Sequence, residues 1–194
     1  MLTEPSHRTR IHSVGAPRLA ASVLTVGAFD GVHRGHQALI RQAVAAARAA
    51  GVPSVVWTFD PPPKVFFGRA EQLSPLAEKL ERIACLGADH VVVSPFDEVC
   101  CARSAEAFLD DLARVNPLGV WVGSDFRFGK GQAGDVTMLS RAFPTHVLPP
   151  VRCPAGEVVS STRIRALLAQ GMTEAAGALL GWLGSGGTRL GRAA

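Results

Sequence analysis

From residue 22 onward, short apolar runs alternate with longer segments in which apolar positions recur every three or four residues. Val23-Leu24-Thr25-Val26 is a β-branched run closed by Gly27, and it predicts a strand. Residues 54–59, 89–93, 118–122 and 145–148 repeat that signal. The run at 54–59 does not alternate with polar residues, as expected where both faces of a sheet are covered. The intervening periodic segments predict helices: an alanine-rich one running to about residue 50, then 75–86, 104–114 with Phe108, Leu109 and Leu112 on one face, 135–142, 160–170 and 173–182. Strand followed by helix throughout predicts an α/β fold, a doubly wound parallel sheet in a single domain over 11–183. Residues 1–10 and 184–194 are polar or glycine-rich and are expected to be flexible.

The glycine- and proline-punctuated stretches fall at 27–36, 58–64, 123–131 and 160–165. Each lies at a strand end or a helix start. In a doubly wound sheet, ligands bind beyond the carboxyl ends of the strands, so the four stretches are expected to converge on one crevice.

Composition narrows the function classes. The 194 residues suit one domain, and 47% hydrophobic content supports a substantial core. The net charge of +4 suits phosphorylated ligands, but the basic residues form no run or stripe, which argues against nucleic acid as a partner. Cys85, Cys100, Cys101 and Cys153 lack metal-site spacing and are expected to be reduced cytosolic thiols. No apolar run approaches the ~18 residues of a membrane span, and residues 1–15 lack a signal-peptide core. A cytoplasmic protein without a membrane partner is the expectation, its oligomeric state unread. No G-x-S-x-G or activated cysteine points to a protein nucleophile.

Val23 to His36 is the organising stretch. A strand, a glycine turn and a helix N-terminus create an anion cradle, because free backbone N–H groups and the positive end of the helix dipole meet there. His33 and His36 are one turn apart and face that cradle together. Gly35 between them has no side chain to hold a phosphate away. One capping and one surface histidine is the bland alternative. Ser160-Ser161-Thr162-Arg163-Ile164-Arg165 offers hydroxyls, helix N–H groups and guanidinium forks to phosphate, or else is an ordinary serine cap with two solvated arginines.

Phe29-Asp30-Gly31-Val32-His33-Arg34-Gly35-His36 resembles the H-x-G-H signature of the nucleotidyltransferase superfamily. The wider G-x-F-D-G-V-H-x-G-H form is most similar to the FMN adenylyltransferase module of bacterial FAD synthetases, the bifunctional riboflavin kinase/FMN adenylyltransferases. The resemblance implies a Rossmann-like nucleotidyltransferase fold and Mg²⁺-dependent transfer of AMP from ATP to FMN, giving FAD and pyrophosphate. It implies catalytic roles for His33, His36 and Arg163, and ATP contacts from Gly27, Ala28, Phe29, Asp30, Gly31 and Gly35. Ser160, Ser161, Thr162 and Arg165, in a stretch similar to the family's S-S-T-x-I-R, join them.

Two further motifs concern the acceptor. Gly123-Ser124-Asp125-Phe126-Arg127-Phe128-Gly129 resembles the family's G-x-D-F-x-F-G loop, which lies at the flavin-phosphate and nucleotide site. Asp125 is placed either on Mg²⁺ or on the acceptor, and Phe126 and Phe128 either stack on a planar ring or plug the core. Thr58-Phe59-Asp60-Pro61-Pro62-Pro63 resembles T-F-[DE]-P-H-P, a loop near the flavin, which implies FMN contacts from Phe59, Asp60, Pro61 and Pro62. A plain proline-rich turn is the alternative.

Three positions depart from the family pattern. Ala28 stands where asparagine is usual, Pro62 where histidine is, and Gln132 where arginine is common. After Leu179-Leu180-Gly181-Trp182, similar to the end-of-module L-L-G-R, no riboflavin kinase motif follows, so no riboflavin phosphorylation is expected. Two rivals remain: a nucleotidyltransferase with another phosphorylated acceptor or with CTP, and a catalytically silent nucleotide- or flavin-binding protein.

Overall fold

The run at Val23 becomes the central strand of a six-stranded parallel sheet in the computed structural model, which describes residues 9–182. The expectations for 1–8 and for 184–194 lie outside the described residues. In chain order the strands are β1 (Arg10–His12), β2 (Ser22–Val26), β3 (Ser54–Asp60), β4 (His90–Pro95), β5 (Pro117–Gly123), β6 (Arg127–Phe128), β7 (Gly134–Asp135) and β8 (Thr145–Leu148). The helices are α1 (Arg34–Ala50), α2 (Pro63–Phe66), α3 (Leu76–Cys85), α4 (Glu98–Ala102), α5 (Ala105–Ala113), α6 (Val136–Ala142), α7 (Ser161–Ala169) and α8 (Thr173–Leu180).

The sheet order is β1-β4-β3-β2-β5-β8, with every pairing parallel. From β2 the chain winds outward through β3 to β4, then returns to β5 on the other side of β2. The crevice of such a sheet opens at that reversal, between the carboxyl ends of β2 and β5.

Both faces of the central strands are apolar, as the unalternating run at 54–59 predicts. Leu24, Val26, Val55, Trp57, Val120 and Val122 pack with Phe108 and Leu112 of α5 and Leu139 of α6. On the opposite face Val56, Val91 and Val93 pack with Leu39, Ile40 and Val44 of α1 and Ile83 of α3. Helix α1 buries Gln37, Ile40, Val44 and Ala47 along one stripe, at the three- and four-residue spacing of a helix face.

Five elements exceed the sequence expectations. The edge strand β1 has no pattern of its own; its register is set by β4, with Arg10 opposite His90 and His12 opposite Val92. Residues 60–64, expected to be an extended loop, split into the end of β3 and the one-turn helix α2. Proline is tolerated in the first turn of a helix, where its missing N–H would have no intrahelical partner, so Pro63 can itself begin one. Helix α4 is capped by Asp97, whose carboxylate accepts from the Cys100 N–H at 2.8 Å. The stretch from residue 123 is not a plain loop: β6 pairs antiparallel with β7, Arg127 opposite Asp135.

Candidate active site

Beyond β2 the chain turns sharply through Phe29, which holds a left-handed conformation, and a 3₁₀ turn over Asp30–Val32 that delivers His33 as the N-cap of α1. The His36 backbone N–H donates to His33 Nδ1 at 3.3 Å. That bond makes Nδ1 the acceptor and leaves the proton of the neutral ring on Nε2. The two imidazoles stack with centroids 3.6 Å apart, and the Phe29 ring meets His36 edge-on at 5.2 Å. Gly35 leaves little room for a side chain: a Cβ there would lie 3.2 Å from the His33 ring and 3.4 Å from the Val159 carbonyl, so the ring would have to give by a few tenths of an ångström.

Burial keeps this pair neutral. His33, 5% exposed, is lowered from 6.5 to about 4, with Arg165 adding to the effect of burial. His36 is held well below the ordinary histidine range by burial, then by His33 and Lys79, and its Nδ1 is buried with no hydrogen-bond partner. A histidine whose folded pKa lies below its unfolded one takes up its proton first in the unfolded chain. Its stabilising contribution is therefore complete above pH 6.5 and is lost as the pH falls toward 4. Urea titrations should show stability dropping by about 2 kcal/mol between pH 7 and pH 5 from His33 alone, and His33→Gln should remove that part of the slope. Equal slopes in the two proteins would refute this.

The Asp30 carboxylate is engaged within the protein. The residue, 3% exposed, accepts from the Leu73 N–H at 3.0 Å and the Ser74 N–H at 3.3 Å, and pairs with Arg165. Burial pushes its pKa up, against those bonds and the Arg165 charge. Asp30 and Arg165 therefore join the cradle to the 71–74 segment, and Arg165 also donates to the Glu71 carbonyl at 2.6 Å. The Phe29 side chain is core.

Helix α7 brings its N-terminus to the same place. Ser160 caps it by accepting from the Arg163 N–H, Ser161 donates to the Asp30 carbonyl at 3.2 Å, and Thr162 accepts from Lys64 at 3.3 Å. The Arg163 guanidinium turns aside: it pairs with Glu157 and donates to Cys153 Sγ at 3.2 Å. The back of the cradle is closed by later chain. Val32 offers its carbonyl to Gln37 and to the Trp182 indole, both at 2.9 Å, while Arg82 donates to the Gly31 carbonyl at 2.9 Å.

The two acceptor motifs meet in a cavity whose lining includes no residue of 27–36 or 160–165. This cavity, of about 350 Å³, is lined by Phe59, Phe126 and Phe128, the rings singled out in sequence. Phe126 and Phe128 stack with centroids 5.4 Å apart, and Phe128 also packs into the core against Phe108. Pro63, Gly129 and Gln132 complete one wall. Asp60, Pro61, Pro62 and Asp125 are not part of the lining: Asp60 faces Lys79 across 4.0 Å, Pro62 precedes α2 as its cap, and Asp125 is exposed. Among the described residues no three metal-ligating side chains gather.

Sequence reasoning missed several lining residues, namely Phe67, Arg69, Phe96, Cys100, Cys101, Arg103 and Phe108, because they come from helices and turns whose patterns report only packing. It also missed Lys79, in a helix where a lysine reads as a solvated charge. Ala28 contributes its backbone, its carbonyl accepting from Thr58 Oγ1 at 3.0 Å.

Residues 16–163 match a family model described as FAD synthetase. A Geobacillus thermodenitrificans (strain NG80-2) protein named as a bifunctional riboflavin kinase/FMN adenylyltransferase is 50% identical over 164 residues, covering 84% of this chain and 92% of that protein. The bifunctional riboflavin kinase/FMN adenylyltransferase of Escherichia coli (strain K12) is 36% identical over 182 residues, covering 88% of this chain and 58% of that protein. The chain thus spans a little over half the length of the second relative. A solved structure described as a macrolide-efflux protein from Streptococcus pneumoniae superposes with a TM-score of 0.75 at 29% identity, covering 89% of this chain and 70% of that one. No helix among the described residues is long and apolar enough to cross a membrane.

Proposed function

We propose that this chain, which belongs to the FAD synthetase family, transfers AMP from ATP to FMN and releases pyrophosphate. The observation that carries the reading is the adjacency of two unlike half-sites. A pair of neutral imidazoles sits at a helix N-terminus beyond β2, and an aromatic cavity opens beyond its neighbours β3 and β5.

The chemistry needs no protein nucleophile. An oxygen of the FMN phosphate attacks the α-phosphorus of ATP, the bond to the bridging oxygen breaks, and pyrophosphate leaves with that electron pair. The protein's part is position and positive potential. His33 offers its Nε2–H, and His36 lies stacked beside it, so both lie where charge grows on the leaving oxygens. Ser161 and Thr162 offer hydroxyls at the α7 N-terminus, where the helix dipole favours phosphate. Arg163 reaches the phosphates by exchanging Glu157 for them. Gly27, Gly31 and Gly35 keep the backbone accessible, and Asp30 acts by holding Arg165.

The isoalloxazine ring lies among Phe59, Phe126 and Phe128, and Arg69 and Arg127 on the cavity wall offset the charge of the FMN phosphate. Mg²⁺ would be held by Asp125 together with the triphosphate and would supply charge neutralisation there. A second reading, another phosphorylated acceptor or CTP as donor, is favoured by Gln132, an uncharged group on the cavity wall where the family commonly carries arginine.

Purified protein mixed with ATP, Mg²⁺ and FMN should form FAD, seen by chromatography, with stoichiometric pyrophosphate in a coupled assay. Pyrophosphate released only with another acceptor or donor would move the protein to the second reading. Tight ATP or FMN binding with no product under any combination would leave a silent binding protein.

A further inference from the structure

Lys79 is 0% exposed. Lysine is almost never fully buried unless it is well paired, and this one is poorly paired. Its Nζ donates to the Phe59 carbonyl at 2.7 Å, and the Asp60 carboxylate stands off at 4.0 Å. The Asp30 carboxylate and the neutral His36 ring complete its titratable surroundings, the carboxylates favouring the ammonium and His36 losing proton affinity because of it. An apolar side chain would fill the same space without the cost of desolvating a charge. Neither the core nor the proposed chemistry as described accounts for a lysine here.

We propose that Lys79 is a positioning residue for the acceptor: its buried ammonium, bonded to the Phe59 carbonyl and facing Asp60, fixes the end of β3 that serves as cavity wall beside the histidine pair. The inference rests on the reading of that cavity as the acceptor half of a nucleotidyl transfer site. Phe59 is where the two halves meet. Its ring lines the cavity and contacts Phe96 at 5.8 Å and Phe108 at 6.1 Å. Its carbonyl points the other way, to Lys79. The next carbonyl, of Asp60, accepts from the Phe96 N–H at 2.9 Å, so the strand end is gripped from both sides. Without the ammonium, the half-buried Phe59 carbonyl loses its side-chain partner, and the strand end is free to shift. The ring moves with it. The donor half, held by Asp30, Arg82 and Arg165, keeps its own supports.

The test compares wild type, Lys79→Met and Lys79→Gln for thermal unfolding, FMN affinity by flavin fluorescence quenching, and separate KM values for ATP and FMN. Lys79→Met should fold, with Kd and KM for FMN raised about tenfold and KM for ATP within twofold. Lys79→Gln keeps an N–H donor for the Phe59 carbonyl and should recover most of the FMN affinity. Wild-type FMN parameters in both folded variants would overturn the proposal. So would KM values for ATP and FMN that rise together with a falling melting temperature, the signature of a merely structural lysine. If Lys79→Met does not fold, the ratio of the FMN effect to the ATP effect in Lys79→Gln decides alone. If the wild type uses a different phosphorylated acceptor, the functional reading fails on that control, while the same acceptor-selective rise, measured with that compound, still decides the role of Lys79.

Discussion

His36→Ala is expected to slow FAD formation by two to three orders of magnitude, about what loss of a preorganised hydrogen-bond donor to transition-state charge costs. The expectation rests on how the ring is held. His36 is desolvated, stacked on His33 and edged by Phe29, and its Nδ1 has no partner within the protein. Such a ring makes a fixed polar contact that needs no reorganisation when charge develops on the leaving pyrophosphate. Alanine removes the ring and its fixed polar contact and lets water into its place. The sheet and the two apolar layers do not depend on this ring, so circular dichroism should be unchanged. KM for FMN should change little, since the cavity is lined by other residues. Turnover at the wild-type rate in a folded variant would remove the histidine pair from the mechanism.

The second large effect is on stability. Asp30→Ala should destabilise the fold by about 3–5 kcal/mol, the usual cost of removing one member of a buried ion pair. The carboxylate serves the Leu73 and Ser74 N–H groups and the Arg165 guanidinium, which is itself mostly buried at 17% side-chain exposure. Removing it strands all three. Asp30→Asn keeps one acceptor oxygen and should fall between alanine and wild type. Urea unfolding at pH 7 measures the difference, and the linear slope should be unchanged if both states keep their size. An alanine variant as stable as wild type would mean that water replaces the carboxylate at no cost.

The sheet was readable because its strands are continuous β-branched runs between periodic segments, a pattern that few other arrangements explain. β1 was not, because three residues held by another strand's backbone carry no signal of their own. The His33–His36 pair was legible from spacing alone, since one helical turn fixes where both rings point. Asp30 was legible as important but not in its partners: the residues it holds are 43, 44 and 135 positions away in sequence. Arg163 shows the same limit, because nothing in a serine-capped helix start announces Glu157 six residues earlier. Phe126 and Phe128 were left between ring stacking and core plug, and the structure assigns Phe128 to both surfaces at once.

The bond from the Trp182 indole to the Val32 carbonyl spans 150 residues, from the last described position to one of the first loops made. Leu180 adds a second tie, its carbonyl accepting from Gln37 at 2.7 Å. On the ribosome, β2, β3 and β4 emerge long before these residues exist. The sheet can begin to assemble early, but the cradle beside His33 acquires its full support only when the end of α8 has left the exit tunnel. A nascent chain therefore passes through a period in which much of its sheet can form while the turn ahead of α1 still lacks its last two supports.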